Sequence, residues 1–124
     1  MNNVHLTADM VYHFLMDTDD PMTHRMSALL NEAQRKEAVL HIHPVTIADG
    51  CSQIESKDPE LSREDIANAL TRFILLDGIR CEDKDRVLYA LEEYARNDHP
   101  FPLAWVSVLD KEKKGSSSVG ELDE

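Results

Sequence analysis

Three brief β-prone or apolar runs, residues 2–7, 39–43 and 79–82, are separated by longer stretches in which apolar side chains return every three or four positions. The runs read as short strands and the stretches as helices. "VHLTADMVYHFLM", residues 4–16, begins as a strand and passes into a helix with no glycine between, and Thr7, Ala8 and Asp9 stand at the join. Asp20 before Pro21 pairs a capping carboxylate with a proline at the first helical position, and Met22, Met26, Leu29, Leu30 and Ala33 follow at helical spacing. Ser62 with Asp65 forms a capping-box pattern ahead of the stripe Ile66, Leu70, Phe73 and Ile74, which Gly78 closes. Val87, Leu88, Leu91, Tyr94 and Ala95 make the next stripe. Asn97, Asp98, His99 and Pro100 interrupt it before a last helix, in which Leu103, Val106 and Leu109 are expected to face inward. Strands alternating with helices predict parallel pairing through right-handed crossovers, hence one layered α/β domain.

A chain of 124 residues suits a single domain, since domains commonly hold about 100–150 residues. No apolar run is long enough for a membrane span, and Met-Asn-Asn-Val-His lacks the basic start and apolar stretch of a signal peptide, so a cytoplasmic location is expected. Cys51 and Cys81, widely separated among apolar or strand-like neighbours, are expected to be free buried thiols. The net charge of −11 changes the picture more. Such a surface repels RNA on average, so any RNA contact needs a local basic patch, and a basic protein partner suits it better. The closing "GSSSVGELDE" is composed like a flexible tail, and "SSSVGEL" has the pattern of one weak edge strand.

Asp9 sits where a helix dipole stabilises an acid, and it is also a candidate metal ligand. Asp49, one turn into a helix after His43-Pro44, has little packing reason to exist and is the stronger candidate. His41 and His43 alternate along a strand, so both imidazoles point to one face, a pattern of zinc pairs and also of ordinary exposed histidines. His43 next to Asp49 is placed to meet a phosphate or a backbone carbonyl. Trp105 belongs to an apolar helix and reads as core or dimer surface. No Ser-His-Asp set, P-loop or dinucleotide glycine motif is present.

Several strings taken together resemble the PIN-domain family, the metal-dependent ribonuclease fold of VapC-type toxins. "VHLTADMVYHFL" resembles its opening strand and helix, "HIHPVTIADGCSQI" its second signature, and the stretch from "ELSREDIANAL" to "WVSVLDKEKKG" its later helices and third strand. The likeness spans most of the chain. It implies a three-layer domain over residues 1–115, a central parallel sheet with helices on both faces, and residues 116–124 as edge strand or tail. It also implies carboxylates at the carboxyl edge of the sheet that hold Mg²⁺ or Mn²⁺ against a scissile phosphate.

Position by position, the family's first aspartate falls on Thr7 and its asparagine on Asp9. Its second acid falls on Asp49, and its paired aspartates at the closing helix fall on Pro100 and Leu103. Asp98 lies just before that helix, and Glu121 and Asp123 are available for a fourth acid. Two readings follow from the resemblance. In the favoured one the acidic centre has degenerated, no cofactor is expected, and the domain is a binding or assembly module that self-associates or engages a protein partner such as an antitoxin. In the alternative, Asp9, Asp49, Asp98 and Asp123 rebuild the metal site of an endoribonuclease, with Asp9 and Asp49 catalytic.

Overall fold

Polar residues at the strand ends start the helices. The computed structural model describes residues 2–97 and 99–108. Strand β1 (Asn2–His5) leads to Thr7, whose hydroxyl accepts the Met10 N–H at 3.2 Å and so opens α1 (Ala8–Met16). Asp20 likewise accepts the Met22 N–H at 2.9 Å to open α2 (Pro21–Gln34), where the missing N–H of Pro21 costs nothing. After β2 (Ala38–Ile42), His43 caps α3 (Pro44–Lys57) by accepting the Val45 N–H on Nδ1 at 3.1 Å. The expected capping box opens α4 (Arg63–Ile74), with Ser62 and Asp65 each accepting the other's backbone N–H. Then come β3 (Ile79–Cys81), α5 (Lys84–Arg96) and a helix α6 over residues 101–108.

All three strands are parallel, in the order β1-β2-β3. β1 ends before the expected residue 7 and β2 one residue before the expected 43, because Thr7 and His43 are helix caps rather than strand residues. An order that steps in one direction, joined by right-handed crossovers, brings both helix pairs to the same face of the sheet. Burial agrees: Ala38, Leu40 and Ile42 are buried beneath the helices, whereas the opposite face carries exposed Asn3, His5 and Arg80 with half-buried Val39 and His41. Helices were expected on both faces; among the described residues they cover one. The buried face meets Met26 and Leu30 of α2, Ile47 and Ile54 of α3, and Leu70 and Ile74 of α4, each fully or almost fully buried. Every such side chain contributes about 1.5–3 kcal/mol of burial. Helix α5 packs on α4 and inserts Val87, Ala90, Leu91 and Tyr94 into the same core.

Two local expectations change. Gly78 does not end α4, which stops at Ile74; it makes the turn into β3 with φ of 86°. A Cβ there would lie 2.5 Å from the Ala33 Cβ, so α2 and this turn approach closely only because residue 78 has no side chain. In α6 the inward stripe is Phe101, Ala104 and Val108, while Leu103 and Val106 are 51% and 50% exposed. The helix carries two apolar stripes, and burial of Phe101 at its start rotates the second one outward. Leu109, Asp98, Glu121, Asp123 and the strand or tail of residues 116–124 lie outside the described residues. Among the described residues no helix is long and apolar enough to cross a membrane.

Candidate functional site

The residues after β1 do not gather carboxylates. Thr7 spends its hydroxyl on the α1 cap, and Asp9, exposed in the first turn of α1, accepts a 2.7 Å hydrogen bond from the Gln53 side chain of α3. Asp49 is exposed on α3 one turn before Gln53, so the two occupy one helix face. The structure thus brings Asp9 to the Asp49 side of α3, where the Gln53 amide holds it. Pro100 and Leu103, which the resemblance sets against a pair of acids, are exposed. Among the described residues no three His, Cys, Asp or Glu side chains lie close enough together to hold a metal ion. Two exposed carboxylates, one engaged by a neutral amide, do not make the oxygen-rich cage that Mg²⁺ or Mn²⁺ requires.

The carboxyl ends of the strands hold a different set of groups. Pairing sets His5 opposite His41 and His41 opposite Arg80, so two imidazoles and a guanidinium stand in one row on the uncovered face. The His5 and His41 rings are stacked, with centroids 5.0 Å apart and an interplanar angle of 23°. Nε2–H of His41 donates to the Asn3 side-chain oxygen at 2.9 Å, which fixes the ring. His43, two residues on, has Nδ1 turned to the α3 cap and Nε2 3.3 Å from a Glu82 carboxylate oxygen. These groups border a groove of about 470 Å³ that Leu6, Ile42 and Cys81 help to wall.

No family model, curated protein or solved structure matches the chain. The geometry alone therefore carries the functional argument. In parallel α/β sheets, ligands collect outside the carboxyl ends of the strands, where this groove lies.

The expected histidine pair is present with altered roles, since His43 is a helix cap and not a second strand residue beside His41. Its neighbours His5, Arg80 and Glu82 belong to no local motif in the sequence. The available signal was the matching position of His5, His41 and Arg80 within three strands, which becomes a row only once the register is known.

Neither cysteine is in a disulfide. Burial pushes the Cys51 thiol up to about 12, and burial pushes the half-buried Cys81 thiol up to about 11. Both therefore stay protonated near neutrality, where a thiol nucleophile needs the opposite shift. Trp105 is half-buried, stacked on Phe101 at 6.2 Å and lying 5.4 Å beneath the Arg86 guanidinium, so its ring is engaged within the α5–α6 pair.

Proposed function

We propose that the chain is a PIN-like α/β domain whose acidic centre has been dismantled, and that it works as a binding or assembly module. The observation that carries this reading is the β1 junction. Where the family has its leading aspartate, Thr7 supplies a neutral hydroxyl that caps α1, and the nearest acid, Asp9, is hydrogen-bonded to Gln53. The element order, with two helices between successive parallel strands, supports the fold half of the reading.

The outward stripe of α6 supports the assembly half. Leu103 and Val106 are exposed there, and Tyr89 of α5 is 62% exposed, the kind of apolar surface that marks protein contacts. Capture of a basic protein such as an antitoxin suits a cytoplasmic chain with a net charge of −11, and self-association would rest on these apolar stripes against that charge.

The second reading, a Mg²⁺- or Mn²⁺-dependent endoribonuclease, is favoured by one observation: Gln53 places Asp9 and Asp49 along the same α1–α3 seam. One experiment separates the two. The wild-type protein is expected to leave RNA uncut with either metal, and Thr7→Asp combined with Leu103→Asp to raise metal affinity. Metal-dependent cleavage by the wild type that disappears in Asp49→Asn overturns the binding-module reading.

A further inference from the structure

We infer that the groove at the carboxyl ends of the strands is a binding site for a small phosphomonoester carrying a flat apolar body. The inference does not depend on the fate of the acidic centre, because it uses none of the residues argued over there. Three observations support it.

The first is charge placement. In a chain with 24 acidic residues against 13 Lys and Arg, the row of His5, His41 and Arg80 contains no carboxylate. Arg80 is exposed, and no ion pair of its guanidinium is found among the described residues. The Arg80 guanidinium, at the β3 end of the row with His41 beside it, is a fork of N–H donors suited to phosphate oxygens. Neighbouring strands stand about 4.8 Å apart, so a phosphate held by Arg80 lies beside the His41 ring, whose Nε2–H is already given to Asn3. Thr46 adds a hydroxyl at the groove's rim.

The second is shape. The stacked pair of His5 and His41 rings offers a flat ligand an outer ring face of the stack, and Leu6, Ile42 and the neutral Cys81 thiol give the groove apolar walls. A volume of about 470 Å³ falls in the range of about 300–1,000 Å³ typical of small-molecule sites.

The third observation sets the size of the ligand. A long polyanion lies over acidic surface beyond the row in a chain of net charge −11, whereas screening with a Debye length of about 8 Å at physiological salt leaves a short ligand to feel mainly the groups nearest it. A single phosphate meets the local row alone. Glu82, 3.3 Å from His43 Nε2, is the nearby charge that works against binding.

The test is a titration of the full chain, read by NMR of the histidine ring resonances, with inorganic phosphate, phenyl phosphate and a single-stranded oligouridylate as probes. Phenyl phosphate is expected to saturate shifts of His5 and His41 at lower concentration than inorganic phosphate, and the oligouridylate to bind more weakly than either. Arg80→Gln is expected to weaken phenyl phosphate by about tenfold, the effect of losing one charged hydrogen bond, and Glu82→Gln to tighten it. Arg35→Gln, which removes the same charge beside Glu37 near the opposite end of β2, is expected to leave the affinity unchanged. The inference is overturned by an absence of saturable shifts at His5 and His41, by equal affinity in wild type and folded Arg80→Gln, by equal losses in Arg80→Gln and Arg35→Gln, or by an oligouridylate that outbinds phenyl phosphate.

Discussion

Between α3, α4 and α5, the Tyr94 hydroxyl donates to Glu55, and the same carboxylate meets Arg63 Nε at 3.5 Å while the guanidinium lies 5.2 Å over the Tyr94 ring. At the carboxyl ends of the strands, His5, His41 and Arg80 stand side by side without an acid among them. Both clusters join three elements, and both contain an arginine and an aromatic ring. In the first, acid, base and phenol engage one another beside buried Cys51, so the polar groups act as a clasp on the core. In the second, the donors outnumber their partners. Polar groups that are matched stabilise a fold, and polar groups left unmatched at a groove are available to a ligand.

Removing the clasp has the largest expected effect. Tyr94→Ala deletes a fully buried ring together with its hydrogen bond and is expected to cost about 3–5 kcal/mol in urea unfolding. A loss below about 1 kcal/mol would mean that the two clusters do not differ in the way described.

Alkali tests the clasp without mutation. Burial raises the Cys51 thiol from its ordinary value of 9 to about 12, and burial together with Glu55 raises the Tyr94 phenol above its ordinary 10. An acid whose pKa is raised by folding ionises first in the unfolded chain, so its contribution is complete below the unfolded value and fades as pH rises towards the folded one. The melting temperature is expected to fall progressively above about pH 9, and the fall to be smaller in Cys51→Ser than in the wild type.

Gly78→Ala reaches the row through the fold, since the turn at Gly78 delivers Arg80 to the row while lying against α2. Positive φ and the close approach to Ala33 predict a loss of about 1–3 kcal/mol, with weakened phosphate binding in the folded fraction. Arg80→Gln is the smallest change for stability, expected within about 0.5 kcal/mol of wild type by urea unfolding, although it is the largest for the groove. A strongly destabilised Arg80→Gln would make that arginine a structural residue and remove the contrast.

Signals confined to a few neighbouring residues were legible in the sequence. Asp20-Pro21 and Ser62 with Asp65 each satisfy backbone donors within one helical turn, so the residues that make the cap are the residues that announce it. The strands were located for the same reason and overextended at Thr7 and His43, whose side chains fold back on the next helix. The phase of α6 was not legible, because Phe101 with Ala104 and Leu103 with Val106 are equally apolar stripes and tertiary burial selects between them. The His5–His41–Arg80 row was hidden for a stronger reason. Its members come from three separate strands, and a shift of one residue in either pairing would send one of them to the opposite face.

The one-directional strand order has a consequence for how the chain acquires its structure. Each strand pairs with the one before it, across a helical pair that closes over the same face. Each strand-helix-helix unit can therefore dock as soon as its next strand is complete, without waiting for distant sequence, an arrangement that suits stepwise folding during synthesis. The site at the strand ends is then assembled last to first in dependence: His5 has no ring to stack on until β2 arrives, and the row gains its guanidinium only when β3 joins. Folding intermediates that hold the first two strands would possess the stacked imidazoles and lack the phosphate fork, so ligand capture would report completion of the sheet.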